Sequence, residues 1–203
     1  MQKKYFITGI STEVGKTIAS AIVTEALEAD YWKPIQSGDL HYSDTDKVKS
    51  LTSNSKSVFH PNSYALQTPM SPHASADIDG IKIKVSEIKE PNTENHLVIE
   101  GAGGLLVPLN DTDTILDLIQ PEYQVIVVSR HYLGSINHTL LSINLLKEKG
   151  FDVSLIFSGD EHPTTESIIE KMTQVPVLGR IGDEPYFDQN VIKEYAEKFK
   201  SVL

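Results

Sequence analysis

Short apolar runs alternate with longer amphipathic stretches along much of the chain. Continuous apolar runs are typical of strands buried on both faces of a parallel sheet, and helical spacing of apolar residues is typical of helices packed on it. We predict strands over the runs 3–8, 96–100, 124–129, 152–158 and 175–181. We predict helices over the stretches 17–29, 136–149 and 188–203.

The middle of the chain carries a weaker signal. "YWKPIQ", residues 31–36, predicts the second strand in chain order, although Pro34 lacks the N–H group that a sheet ladder needs. Beyond it, residues 37–95 hold several prolines and serines, with short helices expected at 46–51 and 85–89. The alternation of strands and helices predicts one α/β domain over residues 1–203, with a doubly wound, mostly parallel sheet and helices on both faces.

Composition and charge narrow the possible partners. The 203 residues suffice for a sizeable core, and a formal net charge of −10 argues against nucleic-acid binding, which needs a basic surface. There is no cysteine, which excludes disulfides, thiolate metal sites and cysteine nucleophiles. No apolar run approaches the roughly 18 residues of a membrane span, and the apolar segment of "MQKKYFITG" is too short for a signal peptide. We therefore expect a cytoplasmic protein with no membrane partner.

The stretch "FITGISTEVGKT" leads from a predicted strand into a predicted helix. Gly15, Lys16 and Thr17 supply what a phosphate-binding loop requires: a small turn residue, a cation for the β- and γ-phosphates, and a hydroxyl for Mg²⁺. The general pattern has four residues between its glycines, whereas five separate Gly9 from Gly15 here. A plain helix start capped by Thr12, with Lys16 in solvent, is the alternative.

Two further loops follow predicted strands and carry charged groups. "IEGAGG" brings Glu100 to a strand end before three glycines. A carboxylate there can hold Mg²⁺, or the segment is a tight turn with Glu100 in solvent. Lys33 lies in the predicted strand 31–36; alone it is more often a surface lysine, but an interior ammonium must find an anion. Because ligands bind at the carboxyl ends of parallel strands, we expect these groups to converge with Lys16 on one crevice.

The segment after the second strand offers two carboxylates. Asp44 and Asp46 in "SDTDK" precede a predicted short helix, so either can cap that helix and either can serve as a Mg²⁺ ligand. His73 in "SPHAS" follows a proline, and we expect it to be structural. No Ser/His/Asp arrangement and no metal-binding spacing stands out among the seven histidines.

Taken together, these motifs resemble those of the dethiobiotin synthetase family over most of the chain. "YFITGISTEVGKT", "KPIQSG", "SPHASA", "EGAGGLLVPL" and "LGSINHTLLS" match the family's motifs in order, and that family's loop has five residues between its glycines. The resemblance implies a P-loop nucleoside triphosphate hydrolase-like fold, usually a homodimer, with Mg²⁺ as cofactor and ATP, CO₂ and 7,8-diaminononanoate as substrates. It also implies a mechanism through a carbamate, a carbamic–phosphoric anhydride and ring closure.

The resemblance further implies roles for individual residues. It implies catalytic roles for Thr12, Glu13, Lys16 and Lys33. It implies ATP contacts for Glu13, Val14, Gly15, Lys16, Thr17, Ile18, Asp46, Glu100, Gly101, Ala102, Gly103 and Gly159. It implies Mg²⁺ binding by Thr17, Glu100 and an aspartate before a short helix, for which Asp46 is preferred and Asp44 stays open. It implies substrate contacts for Thr12, Lys33, Ser37 and Gly103 and, at a helix start offered to the other subunit, for Leu133, Gly134, Ser135 and Asn137.

Some features depart from that family or point to related classes. Where the family often has an asparagine against the adenine edge, "FSGD" has Gly159. Base selectivity therefore stays open, and backbone groups around Gly159 and Gly182 are candidates for contacting the base. Cobyrinate amidases share the early loop but need ammonia, typically released by a glutaminase cysteine, which this chain lacks. Partitioning-type ATPases carry an extra lysine early in the loop, and residues 10–13 contain none.

Overall fold

The computed structural model describes residues 2–203. Seven strands form the main sheet: β1 (Lys4–Gly9), β2 (Asp30–Trp32), β4 (Phe59–His60), β6 (Leu97–Glu100), β7 (Gln124–Arg130), β8 (Asp152–Ser158) and β9 (Val177–Ile181). Their order is β4-β2-β6-β1-β7-β8-β9, and every neighbouring pair is parallel. The predicted parallel sheet is confirmed.

Six α-helices are present in residues 2–203: α1 (Lys16–Leu27), α2 (Asp44–Leu51), α3 (Pro72–Asp79), α4 (Ser135–Glu148), α5 (Pro163–Thr173) and α6 (Gln189–Phe199). Helix α1 packs against α2 and α6, and α4 packs against α5. The crossover through α1 runs toward the β4 edge and that through α4 toward the β9 edge, so right-handed connections place the two groups on opposite faces. No helix in this part of the chain is long and apolar enough to cross a bilayer.

The direction of winding reverses at β1, which lies between β6 and β7. At such a switch point the loops at the carboxyl ends of the strands diverge and leave a crevice for a ligand. The loop after β1 holds the predicted phosphate-binding residues, and Glu100 is the last residue of β6, directly before its loop. The topology therefore brings the two strongest sequence motifs side by side.

The prediction of one strand over 31–36 is wrong. Strand β2 ends at Trp32, and the chain resumes as β3 (Ile35–Ser37), which pairs in parallel with β5 (Tyr64–Leu66) in a separate sheet. Pro34 lies at the break, where it has no N–H to donate and its carbonyl accepts from Ser63 and Tyr64. The break releases Lys33 from both sheets at the edge of the crevice.

Several elements were not predicted. Helix α3 begins with Pro72 in its first turn and ends at Gly80, which has a φ of +67°, and α5 follows Pro163. Both helices are short and mostly polar on the outside, so their apolar spacing is weak. The segment predicted as a helix at 85–89 is a single 3₁₀ turn over Val85–Glu87, and a second 3₁₀ turn spans Ile115–Leu118.

Asp30, at the start of β2, anchors the strand that leads to Lys33. Its buried carboxylate accepts from Val58 N (3.0 Å), Thr93 Oγ1 (2.7 Å) and Asn95 Nδ2 (3.1 Å), and His60 Nε2 lies 3.1 Å from Oδ2. Burial alone would raise the pKa of Asp30, but these hydrogen bonds outweigh it and lower the pKa below its ordinary value.

Replacing this carboxylate should therefore destabilise the fold in a pH-dependent way. We expect Asp30→Ala to lower the free energy of unfolding by about 3 kcal/mol at neutral pH, because several partly buried donors lose their charged acceptor. Since the folded-state pKa lies below the unfolded value, this contribution is complete above about pH 4 and declines as the pH falls through the folded-state pKa. Denaturant unfolding of the wild type and the variant at pH 7 and pH 3 measures the difference in free energy of unfolding. Asp77→Ala, at an exposed aspartate, is the control. An equal loss of stability at both pH values would contradict this account.

Candidate active site

A cleft of about 970 Å³ opens at the carboxyl ends of β1, β2 and β6. Its walls come from the loop after β1, from the end of β6, and from the segment between β2 and α3. Of the predicted site residues, the cleft is lined by Thr12, Glu13, Gly15, Lys16, Thr17, Ile18, Lys33, Ser37, Glu100, Ala102 and Gly103. Sequence motifs that lie up to 91 residues apart, from Thr12 to Gly103, thus share one cavity.

The loop after β1 is shaped by two left-handed residues. Gly15 has a φ of +97°, and a Cβ atom there would lie 2.8 Å from Ser158 Oγ, so only glycine fits. Glu13 has a φ of +58°, which is uncommon for a residue with a side chain. Val14 between them is buried in the core. The loop is therefore pinned at Val14 and exposes Thr12 and Glu13 at the mouth of the cleft.

Lys16 begins helix α1 and lies largely buried in the cleft wall. Its Nζ donates to the carbonyl of Ser11 at 3.0 Å, so the side chain folds back over the loop. Burial lowers the pKa of Lys16 to about 8; Glu100 and Asp44 oppose this shift, while the nearby Lys33 adds to it. A cation held over backbone N–H groups at a helix start suits a phosphate ligand.

Glu100 is the centre of the polar cluster at the cleft floor. One carboxylate oxygen, Oε1, accepts from Thr17 Oγ1 at 3.0 Å and from Lys33 Nζ at 3.1 Å. The other, Oε2, accepts from Tyr31 Oη at 2.9 Å. Glu100 is 1% exposed and Tyr31 is fully buried. Burial and the adjacent Glu100 raise the pKa of Tyr31 well above its ordinary value, so its phenol is a proton donor at neutral pH.

Asp44, and not the preferred Asp46, completes this cluster. The Asp44 carboxylate contacts Lys33 Nζ through Oδ2 and accepts from Lys47 Nζ at 3.0 Å. The Asp46 side chain turns back instead and accepts from the backbone N–H and hydroxyl of Ser43, in a capping box at the start of α2. The preference for Asp46 as a Mg²⁺ ligand does not fit this geometry, because the capping box holds its carboxylate outside the cluster.

Lys33 is held between two acids. Burial would lower the pKa of Lys33, but Glu100 and Asp44 outweigh it and raise the pKa. Burial likewise opposes ionisation of Asp44, but Lys33 outweighs it and lowers the pKa of Asp44. Lys33 is therefore a fixed cation at neutral pH, and an unpaired charge at this depth would be costly.

Some predicted residues lie outside the cleft lining. Gly101 lies behind the wall, where its N–H donates to the carbonyl of Ile7 at 2.9 Å. Gly159 follows β8, next to the side chains of Arg130 and Asp183. Four residues at the start of α4 are not brought to this cleft within one chain: Leu133, Gly134, Ser135 and Asn137.

The backbone groups suggested for contacting the base are already engaged. The N–H of Gly159 donates to Ile181 O at 2.8 Å, and its carbonyl accepts from Arg180 Nη1 at 3.2 Å. The N–H of Gly182 donates to Tyr195 Oη at 3.0 Å. Protein partners thus satisfy both N–H groups, and the expectation that backbone groups around these two glycines contact the base stays a prediction.

The sequence interpretation missed two residues of the site. Tyr31 lies two residues before Lys33 in the chain, and this spacing of two was the available signal, because it places both residues on one face of an extended segment. Gln36 is buried and joins β3 to the site: its Nε2 donates to Gly38 O at 3.1 Å, and its Oε1 accepts from Asp44 N at 3.3 Å. Gln36 had no sequence signal.

The oxygen groups at the cleft floor fit a magnesium ion. Mg²⁺ prefers oxygen ligands and is usually held by one or two carboxylates together with substrate phosphates. Thr17 offers a hydroxyl, and Glu100 and Asp44 offer carboxylates, all beside the loop that holds Lys16. Within residues 2–203, no group of three or more His, Cys, Asp or Glu side chains is arranged to hold a metal ion; phosphate oxygens and water are the other ligands that Mg²⁺ usually takes.

Two solved structures share the fold of this chain. A putative plasmid partition protein from Borrelia burgdorferi, bound to AMPPNP, matches with a TM-score of 0.58 and 11% identity over 100% of this chain and 97% of that chain. The MinD cell division protein of Aquifex aeolicus matches with a TM-score of 0.55 and 13% identity over 98% and 97%. At this identity the likeness establishes the P-loop α/β fold alone.

Comparison with sequence relatives identifies the family of the chain. A family model described as an AAA domain matches residues 3–190. The ATP-dependent dethiobiotin synthetase of Christiangramia forsetii is 67% identical over 100% of this chain and 99% of its own length. That of Cytophaga hutchinsonii is 48% identical over 97% and 96%. With these identities over nearly the whole chain, the chain belongs to the family of ATP-dependent dethiobiotin synthetases.

Proposed function

We propose that this protein uses ATP and CO₂ to convert 7,8-diaminononanoate into dethiobiotin, a step of biotin biosynthesis. One observation carries the proposal: Lys16, Lys33 and Glu100 meet in a single cleft of a chain that is 67% identical to a named dethiobiotin synthetase. A loop lysine for phosphates and a second, buried lysine among acids suit phosphoryl transfer, where catalysis consists mostly of positioning and charge stabilisation. We place the reaction in the cytoplasm.

The proposed chemistry has three steps. One substrate amine attacks CO₂ and loses a proton, which gives a carbamate. A carbamate oxygen then attacks the γ-phosphorus of ATP, ADP leaves, and a carbamic–phosphoric anhydride forms. The second amine attacks the carbonyl carbon of that anhydride and loses a proton, inorganic phosphate leaves, and the ureido ring closes. The protein's task is to align the reacting groups and to offset negative charge.

Each side chain at the cleft has a part in this scheme. Lys16, at the start of α1, neutralises the β- and γ-phosphates. Lys33, fixed by Asp44 and Glu100, faces the carbamate and the transferring phosphoryl group. Thr12 and Glu13 line the cleft, where they would flank the reacting atoms. In addition, Ser37 lines the cleft, and its buried Oγ has no hydrogen-bond partner in residues 2–203, which suits a contact with substrate.

Magnesium belongs to the same proposal. Thr17, Glu100 and Asp44 would hold the ion. Asp44 thus takes the role of Mg²⁺ ligand for which the sequence favoured Asp46. Bound there, Mg²⁺ supplies positive charge that offsets the phosphate oxygens of ATP. The protein's contribution is the orientation of its oxygen ligands before the ion arrives, since Glu100 already accepts from three side chains.

Isotope incorporation tests the proposed function. The protein is incubated with ATP, Mg²⁺, 7,8-diaminononanoate and ¹³C-bicarbonate, and the products are examined by mass spectrometry. We expect dethiobiotin labelled at its ureido carbonyl, formed in a one-to-one ratio with ADP. Recovery of unlabelled substrate with ADP formation would leave an ATPase and overturn the synthetase assignment.

A homodimer is proposed from the exposed face of α4. Leu133 and Leu141 are 104% and 62% exposed, and Ile136 between them is 37% exposed. Leu133 lies just before α4 and the other two lie in its first two turns, so exposed apolar side chains gather around the amino-terminal half of the helix, and such apolar surface is typical of a protein contact. A dimer through this face would also offer the amino-terminal end of α4 to the partner's cleft, where a helix start attracts the substrate carboxylate.

Disrupting this face should separate the subunits. We expect Leu141→Glu to be monomeric at micromolar concentration and to lose turnover, because the partner's helix start is then missing from each site. The matched control is Ile78→Glu on α3, which is also 62% exposed and should stay dimeric. Analytical ultracentrifugation with parallel activity assays measures both; a fully active wild-type monomer would contradict the proposal.

A further inference from the structure

Tyr31 donates to the carboxylate oxygen of Glu100 that accepts no hydrogen bond from any other side chain in the described part of the chain. Tyr31 is paired with Val98 across β2 and β6, and Glu100 lies two residues beyond Val98. Side chains alternate between the faces of a strand, so the tyrosine and the glutamate emerge on the same face. The phenol reaches along this face and donates to Glu100 Oε2 at 2.9 Å.

Burial and packing around Tyr31 and Glu100 fix the geometry of this hydrogen bond. Tyr31 is 0% exposed and Glu100 1% exposed. The ring of Tyr31 lies against that of Phe59 on β4, with centroids 6.3 Å apart. A carboxylate oxygen buried without a donor would be costly, and Tyr31 is the donor to Oε2. The opposite oxygen, Oε1, carries the contacts to Thr17 and Lys33.

We propose that Tyr31 is a positioning residue: its hydrogen bond occupies Oε2 of Glu100, so that the carboxylate presents only Oε1 to a divalent cation. Mg²⁺ is small and demands near-octahedral geometry, which single-oxygen carboxylate ligands satisfy, whereas Ca²⁺ also accepts both oxygens of one carboxylate. A phenol fixed on Oε2 therefore favours Mg²⁺ over Ca²⁺. This inference rests on the proposed magnesium site.

Metal titrations of Tyr31→Phe test the inference without an activity assay. MgCl₂ and CaCl₂ are titrated separately by calorimetry into protein saturated with ADP. We expect the variant to bind Mg²⁺ about 10-fold more weakly, as is typical when a residue that orients a metal ligand is lost, and to lose less affinity for Ca²⁺. Wild-type Mg²⁺ affinity in the variant, or equal losses for both ions, would overturn the inference.

The matched control is Tyr123→Phe. Tyr123 is also buried, and its hydroxyl donates to a glutamate, Glu90 Oε1, at 2.6 Å. It lies at the start of β7, at the opposite end of the sheet from the cleft. This variant loses an equivalent phenol–carboxylate bond and should bind both ions as the wild type does. A loss equal to that of Tyr31→Phe would overturn the inference.

A Glu100→Ala background separates the possible failures. If Glu100→Ala leaves Mg²⁺ affinity unchanged, the proposed magnesium site itself fails. If it weakens Mg²⁺ binding, then adding Tyr31→Phe should have no further effect, because no carboxylate remains to be positioned. Should Tyr31→Phe alone not fold, folding of the double variant would support the inference, and failure of both to fold would overturn it, since Tyr31 would then serve the core independently of Glu100.

Discussion

Lys33→Ala is expected to lower turnover by about 100-fold or more, as removal of one charge-stabilising donor does in other enzymes, with a small effect on ATP affinity. The physical reason is its position: Lys33 is 5% exposed and is held by Asp44 and Glu100 at the cleft floor. Such a cation contributes most where negative charge develops during phosphoryl transfer. Initial rates over a range of ATP concentrations, with a fluorescent ADP analogue for affinity, measure the two effects.

The variant needs two controls, because it leaves two buried carboxylates without their cation. Lys33→Met keeps the apolar stem of the side chain and should lose turnover equally while unfolding at a temperature nearer to the wild type. Lys56→Ala removes a surface lysine that pairs with Glu28 and should leave turnover unchanged. A folded Lys33→Met protein with full turnover would remove Lys33 from the mechanism.

Lys16→Ala should lower both turnover and ATP affinity, whereas Lys33→Ala should lower mainly turnover. We expect it to lower turnover by about 1,000-fold and ATP affinity by at least about 10-fold, because this cation neutralises phosphates in both the bound and the transition state. Its folded-back conformation over the Ser11 carbonyl places it where the phosphates would bind. The same kinetic and binding measurements apply, so each lysine serves as the comparison for the other.

The two lysines thus make a joint prediction. A result in which Lys16→Ala keeps wild-type ATP affinity would contradict the assignment of the loop after β1 as the phosphate site. If the two variants lost turnover and ATP affinity to the same extent, the two lysines would not have the separate roles proposed here. Those roles are phosphate binding for Lys16 and charge stabilisation for Lys33.

The main lines of the fold and the phosphate end of the site were predictable from the sequence. Continuous apolar runs identified the central strands, and parallel strands align their carboxyl ends, so Lys16 and Glu100 had to approach each other. Lys33 followed because an interior lysine needs an acid. These inferences depend on local pattern and topology, which one sequence carries.

The remaining features depend on details that a pattern does not carry. Asp44 and Asp46 have similar positions before α2, and only the capping box with Ser43 decides which one turns toward Lys33. The spacing of two from Lys33 was a signal for Tyr31 itself, but its contact with Glu100 needed the register of β2 against β6, which pairs Tyr31 with Val98, two residues before Glu100. The engagement of the Gly159 N–H by Ile181 likewise depends on how β8 pairs with β9.

The central claim is that ATP turnover here is coupled to carboxylation and ring closure of a diamine. The most direct measurement is release of inorganic phosphate from Mg-ATP, with 7,8-diaminononanoate and bicarbonate each omitted in turn from otherwise complete reactions. The account predicts that phosphate release requires both compounds and falls to background when either is absent. Phosphate release that continues at the same rate without the diamine would contradict it.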